Sequence, residues 1–513
     1  MSAPGEHNLA VLAESWHERV GDYEMLLFEG TWYGSGEILG RARRAAAGLA
    51  ARGIGPGDRV IVLTMNTPEV FVGYHAIWRA GAVVTPVIFL QTIPELRHIL
   101  EDSGARAAIV SPELLGLITE AGAGLDLDLI VVGDVPAGTD ATPFSALEEA
   151  EPGEIVPRSD DDLAALLYTG GTTGRAKGVM LGHRGLWEAG RGMDLVARTM
   201  AATRSLLPLP LSHAFGLNVL VAGLHSERKH VSVMQRWFDP QGWLELVQEH
   251  RLESSPVVPS MMQMLLDLPY ADYDLSSLES FGSGGAPLLP ALREKVEKAF
   301  GVTILEGYGC TEASAIVTAS TVQDSRPGSV GKPAPHVEVA ILDPTGEPVA
   351  VGEEGEICVR GAGVMLGYWN DPEQTERTIV DGWLHTGDVG RVDEEGFLYV
   401  VDRVKDLIIR GGFNVFPRDV EDALLEHEAV ASAAVVGRPD EKSGEEVVAV
   451  VALHPGASAE PEELMEFAKA RLARYKYPRE VLVVPAVPLT SVGKTDRKAV
   501  RAMVREDGSV SAG

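Results

Sequence analysis

The chain has 513 residues and a formal charge of −30, too long for one core and therefore expected to form at least two domains. Its acidity is spread without long single-sign blocks, which excludes nucleic acid and anionic membrane as natural partners, because both attract clustered Lys and Arg. Two cysteines, Cys310 and Cys358, offer neither a disulfide framework nor zinc-ligand spacing and point to a reducing cytoplasm, while residues 1–10 lack a secretory pattern and no apolar run approaches the roughly 18 residues of a membrane helix.

In chain order, residues 59–63 read as a strand, 67–80 as a helix, and 82–87 and 107–110 as further strands. Such alternation of short apolar runs with longer segments of helical period indicates parallel sheets covered by helices. Thr92, Pro94 and Glu95 form a helix start, with Leu96, Ile99 and Leu100 as its inward face. After the apolar run 163–167 comes Tyr168-Thr169-Gly170-Gly171-Thr172-Thr173-Gly174-Arg175-Ala176-Lys177-Gly178-Val179. Its glycines let backbone N–H groups approach phosphate oxygens, its threonines add donors and its lysine adds a mobile positive charge. Glycine and acid clusters at 344–355 read as turns, so residues 330–402 are expected to be a smaller β-rich subdomain. The polar tail 506–513 is expected to be disordered.

The phosphate loop is not a Walker loop. That pattern needs Lys directly after its second glycine, whereas Lys177 stands three positions past Gly174, and Gly493-Lys494-Thr495 has Pro488 where the first glycine would fall. The loop instead resembles that of the adenylate-forming enzymes: acyl-CoA synthetases, nonribosomal-peptide adenylation domains and beetle luciferases. The resemblance recurs in family order at Gly307-Tyr308-Gly309-Cys310-Thr311-Glu312, Gly382-Trp383-Leu384-His385-Thr386-Gly387-Asp388, Asp402-Arg403-Val404-Lys405-Asp406, Gly411-Gly412-Phe413-Asn414 and Gly493-Lys494.

The resemblance implies an α/β fold: a large N-terminal domain, residues 1–402, of helix-covered, mostly parallel sheets with the β-rich subdomain 330–402. A hinge at 403–405, centred on Lys405, leads to a small mobile α+β domain, 406–513. It also implies ATP, Mg²⁺ and CoA as cofactor and co-substrates. The acid attacks the α-phosphorus of ATP, pyrophosphate leaves, and a thiol then takes the acyl group from the mixed anhydride. Such chemistry needs charge neutralisation and positioning more than proton transfer.

By the same resemblance, Thr169, Gly170, Gly171, Thr172, Thr173, Gly174 and Lys177 hold the departing phosphates. Glu312 beside Thr311 holds Mg²⁺, a cation content with few carboxylates plus phosphate oxygens and water. Tyr308 offers a flat face to adenine, between Gly307 and the strand end Gly285-Ala286-Pro287, with Glu306 alongside. Asp388 takes the ribose hydroxyls and Arg403 adds a donor. Lys494 offsets the charge that grows as carboxylate meets phosphate, with Tyr475-Lys476-Tyr477-Pro478-Arg479 as a related upstream segment. Gly411, Gly412 and Phe413 flank the thiol channel, His213 lies between that channel and the acyl pocket, and Phe215, Gly216, Gly284, Gly309 and Cys310 line the pocket.

The chain departs from the family pattern at Gly170, where serine is usual, and at Ala176, where proline is usual, so the loop is less rigid. Glu306, Cys310 and Thr495 are further departures, and none removes a charged catalytic group. Ser212, His213 and Ala214 stand where amino-acid-activating domains carry an Asp, which disfavours amino acids. The apolar or small residues of 214–236 favour a hydrophobic carboxylic acid, whether linear, aromatic or polycyclic. No carrier domain follows Lys494, so free CoA is the expected acceptor, with a separate carrier protein as the alternative and a nonreactive acyl-adenylate or CoA binder as a third reading. A monomer or homodimer is expected.

Overall fold

The computed structural model describes residues 5–169, 175–403, 406–411, 413–440, 442–490 and 495–507. Two large sheets dominate the N-terminal part. One has eight strands in the order Gly367–Tyr368, Lys177–Gly182, Leu163–Thr169, Val83–Pro86, Arg59–Leu63, Ala107–Val110, Asp128–Val131 and Thr142–Pro143. Its pairings are parallel from Leu163–Thr169 outward to Thr142–Pro143 and antiparallel at the other edge. The other sheet has nine strands, with Thr303–Tyr308, Ser280–Ser283, Ser254–Val257, Arg204–Leu207, Val231–Met234 and Glu24–Phe28 running parallel in that order.

The predicted alternation is present. Strands form at Arg59–Leu63, Val83–Pro86 and Ala107–Val110, and a helix at Pro68–Arg79. Thr67 is that helix's N-cap residue with Pro68 first inside it, where a missing N–H costs nothing. The strands are apolar on both faces because both faces are covered; Val83 and Val84, and Ala107 through Val110, are all wholly buried. The helix Ile93–Ser103 begins as its sequence predicts: the Glu95 carboxylate accepts from the Thr92 N–H at 2.8 Å and from its hydroxyl at 2.7 Å. Leu96, Ile99 and Leu100 enter a core cluster with Ile61, Leu63 and Val110. Under the nine-stranded sheet, Trp243 packs edge-on against Phe281 and Phe300, with ring centroids 5.7 and 6.3 Å apart.

The 330–402 region is rich in strands, as expected: Val337–Leu342, Gly355–Gly361, Ile379–Val380, Trp383–Val392 and Leu398–Arg403 form a further sheet. The turn after Leu342 is tied by Asp343, whose Oδ1 accepts from Thr345 N–H at 2.8 Å and Glu347 N–H at 3.0 Å.

In the C-terminal part a five-stranded sheet runs Phe413–Val415, Ile408–Arg410, Gly444–Leu453, Val430–Asp440, with Glu480–Val484 paired parallel to Gly444–Leu453. Alternation along its central strand divides two cores. Val447, Ala449 and Val451 join Val420, Leu424 and Leu464 on one face, while Val448, Val450 and Ala452 join Val487, Val500 and Val504 on the other. The helix Arg497–Asp507 extends into the segment expected to be disordered; its apolar stripe of Val500 and Val504 carries the helical period to that point, and residues 508–513 lie outside the described residues.

The chain divides into two compact units. The first takes residues up to Leu288, with Leu292–Ala340 and Cys358–Thr386; the second takes Leu289–Ala291, Ile341–Ile357 and the residues from Gly387 on. Among the described residues, no helix is long and apolar enough to cross a membrane.

Candidate active site

In the first unit, the strand Leu163–Thr169 returns antiparallel as Lys177–Gly182, and Thr169 and Lys177 are direct cross-strand partners. The register therefore sets the predicted phosphate-binding lysine at the loop end of a hairpin. Gly170, Gly171, Thr172, Thr173 and Gly174 lie outside the described residues. The Lys177 ammonium stands 5.3 Å from the centre of the Tyr368 ring, over its electron-rich face. Tyr368 belongs to the short edge strand that pairs with Val179 and Met180, and its hydroxyl donates to Glu312 Oε1 at 3.1 Å.

Tyr368 thus joins two residues that the sequence singled out separately. Burial, and then the neighbouring Glu312 carboxylate, push its phenol well above the ordinary range, so it remains a protonated donor. Sequence reasoning passed over Tyr368. The available signal was the aromatic pair Tyr368-Trp369 after a glycine, which gives no hint of a partner at Glu312.

Glu312 sits in the one-turn helix Thr311–Ala313, past the end of the strand Thr303–Tyr308 that carries Tyr308. The turn continues through two non-glycine residues in the left-handed region, Ser314 at φ 52° and Ala315 at φ 71°. That costly backbone is braced by bonds from Asn218 Nδ2 to Ser314 O at 3.0 Å and from Ser314 Oγ to Gly363 O at 2.8 Å. Gly309 is required here for space, since a Cβ would stand 2.1 Å from the Ala315 carbonyl oxygen.

The predicted adenine and acyl segments meet. Gly284 follows the strand Ser280–Ser283, and a Cβ on it would touch Gly307 O at 3.4 Å and the Phe215 ring at 3.8 Å. Gly285, at φ 80°, turns the chain toward Ala286 and Pro287. His213 caps the helix Ala214–Gly223, its Nδ1 accepting from the Phe215 N–H at 3.2 Å, which leaves the proton of the neutral ring on Nε2. Gly216 packs on the Pro210 carbonyl, where a Cβ would come within 2.2 Å. Cys310 is half-buried and takes part in no disulfide. Glu306 is buried, and its Oε1 accepts from Arg293 Nη1 at 2.8 Å; the same guanidinium also bonds Ile304 O and Ser325 Oγ. That carboxylate is thus held in an ion pair with Arg293.

In the second unit, Asp388 and Arg403 are cross-strand partners, with Arg403 Nε 3.1 Å from Asp388 Oδ1. Gly411 adopts φ 58° and donates its N–H to Ser443 O at 2.7 Å. Phe413 is exposed and stacks on Tyr475 at 4.8 Å, bringing together two segments far apart in sequence. Leu489 bridges Thr495, and Arg497 holds Glu421 at 2.6 Å and Asp406 at 3.5 Å. Lys494, Lys405 and Gly412 lie outside the described residues.

Helix-covered parallel sheets, with Lys177 and Glu312 joined through Tyr368 at the end of one hairpin, define an α/β protein whose first unit holds a cation and a carboxylate on one tyrosine. The chain belongs to the AMP-binding enzyme family: residues 13–369 match the AMP-binding enzyme domain and 419–494 the AMP-binding enzyme C-terminal domain. It is 36% identical over 498 residues to a long-chain-fatty-acid–CoA ligase of Bacillus subtilis (strain 168), covering 90% of this chain and 88% of that protein. It is 38% identical over 471 residues to a feruloyl-CoA synthase of Amycolatopsis sp, covering 91% and 92%. Its fold matches that of the anthranilate CoA ligase AuaEII in complex with anthranoyl-AMP, at TM-score 0.91 and 27% identity over 98% of each chain. The chain is therefore an ATP-dependent, AMP-forming CoA ligase of the acyl-CoA synthetase branch.

Proposed function

We propose that the acid is a hydrophobic carboxylic acid, aliphatic or aromatic, converted first to acyl-AMP and pyrophosphate and then to acyl-CoA and AMP. The observation that carries this reading is the Lys177–Tyr368–Glu312 assembly, in which one tyrosine holds a cation over its ring and a carboxylate on its hydroxyl. The approach of the Phe215 ring to Gly284, where no side chain fills the space, supports the acid's character. So do the names of the relatives, a long-chain-fatty-acid–CoA ligase and a feruloyl-CoA synthase.

In this reading Lys177, with Thr169 and residues 170–174, binds the β- and γ-phosphates and stays with pyrophosphate as it leaves. Glu312 would hold Mg²⁺, which when bound would lower phosphate charge; one carboxylate, aimed by a tyrosine hydroxyl, suits a cation that prefers few carboxylates. Tyr308 carries adenine, and Asp388, oriented by Arg403, accepts the ribose hydroxyls. The carboxylate oxygen attacks the α-phosphorus, the bond to the bridging oxygen breaks, and Lys494 balances the charge accumulating there. Rotation at Lys405 then replaces Lys494 by the Gly411–Phe413 side, where the CoA sulfur attacks the acyl carbonyl and AMP departs. The neutral His213 ring, its proton on Nε2, is suited to orient that carbonyl or thiol.

Pyrophosphate release with ATP and Mg²⁺ over a panel of aliphatic, aromatic and polycyclic acids tests this, with and without CoA and with Lys494→Ala. The expected result is acid-dependent release, acyl-CoA formed only with CoA, and adenylation lowered by two or more orders of magnitude in the variant. An adenylate that CoA never discharges would transfer the assignment to a carrier-protein acceptor.

A further inference from the structure

We propose that His98 is a positioning residue for Lys177, holding the backbone immediately before that lysine so that ATP meets a preset cation. The proposal rests on the phosphate-binding role given to Lys177 above.

The helix Ile93–Ser103 places His98 and Asp102 one turn apart, on one face. His98 Nε2 stands 2.8 Å from the carbonyl oxygen of Ala176. That acceptor has no proton, so Nε2 is the donor. Asp102 Oδ2 accepts from the Tyr168 hydroxyl at 2.6 Å. Residues 168 and 176 directly precede Thr169 and Lys177, the cross-strand pair at the hairpin's loop end. One helix thereby fastens both stems of the loop, one through a side chain and the other through the backbone. Its turn also anchors the far partner of the lysine. The Asp102 carbonyl accepts from Trp369 Nε1 at 2.9 Å and Asn370 Nδ2 at 3.2 Å, next to Tyr368, whose ring lies under Lys177.

The helix is a firm base, with Leu96, Ile99 and Leu100 buried and Glu95 closing its first turn. Position 176 is where enzymes that this loop resembles carry proline. Alanine leaves φ unrestricted there, and the bond from His98 supplies a restraint that the proline ring would otherwise give. The two devices are alternatives, and that makes the proposal testable by a double-variant cycle.

ATP binding by calorimetry without acid, and KM for ATP, acid and CoA, would be measured on the full chain and on His98→Ala, His98→Gln, Ala176→Pro, Lys177→Ala and the double variants. His98→Ala is expected to weaken ATP binding and raise its KM by about three- to tenfold, the reach of one hydrogen bond, with the other two KM values within about twofold and the thermal midpoint lowered by no more than about 1–3 °C. His98→Gln, which keeps an N–H donor, recovers most of the loss. In the Ala176→Pro or Lys177→Ala background, removing His98 adds little. ATP affinity unchanged by His98→Ala, equal shifts in all three KM values, or no recovery with His98→Gln would overturn the proposal while leaving Lys177 intact as a phosphate ligand. A Lys177→Ala variant that binds ATP like the parent would instead remove the reading on which the proposal stands.

Discussion

At the scale of single residues, the parts of the site that announce themselves are those whose chemistry is carried by near neighbours. Lys177 follows its glycines and threonines within ten positions, and Glu312 closes Gly307-Tyr308-Gly309. Tyr368 and His98 do not announce themselves, because their partners lie 56 and 78 positions away. Glu306, which stands in a motif, also has a partner that the motif does not name, since its carboxylate accepts from Arg293. If Tyr368 aims the Mg²⁺-holding carboxylate, Tyr368→Phe keeps the ring under Lys177 and deletes one charged-acceptor hydrogen bond. The Mg²⁺ concentration for half-maximal pyrophosphate release should rise by about three- to tenfold, with the KM for acid little changed. A magnesium titration identical to the parent's would exclude that role.

At the scale of elements, local rules governed the helices and strands well. The helix Ile93–Ser103 starts where Thr92, Pro94 and Glu95 say it should, because capping groups satisfy donors that no tertiary contact has to supply. Glu95→Ala frees the Thr92 N–H at an exposed end and should cost about 0.5–1 kcal/mol, read as a fall of about 1–3 °C in the melting midpoint. A larger fall would mean that this first turn also supports the packing behind it. Pairing was less legible than element type. Nothing local in Gly367-Tyr368 states that it adds an antiparallel edge to Lys177–Gly182, since two residues carry too little pattern to fix a partner.

At the scale of the whole molecule, the first unit stores a strong acid sensitivity. His75, His183, His225, His230 and His336 are each pushed down to about 4, in every case chiefly by burial. Unfolded, these rings return to about 6.5. Between those values the unfolded chain binds more protons than the folded one, so stability is present above about pH 6.5 and lost as the pH falls toward 4. Urea midpoints measured from pH 7.5 to 4.5 should fall steeply below pH 6.5, with a limiting slope of several kcal/mol per pH unit. A flat profile down to pH 5 would show that these rings take up protons in the folded state. Such a profile belongs to no single motif, since it is the sum of five rings from separate segments of the chain.

The sequence by itself determined the class of chemistry, the α/β architecture and most capping and turn positions, because glycine conformations, hydrogen-bond donors at chain ends and apolar periodicity act over a few residues. Tertiary structure alone decided which groups face one another. Lys177 over Tyr368, Tyr368 on Glu312, His98 on Ala176 and Phe413 on Tyr475 each join segments separated by dozens of residues or more. The physical reason is that a sheet's strand order and a helix's packing angle are fixed by burying the whole apolar surface at once, and no local stretch of sequence carries that sum.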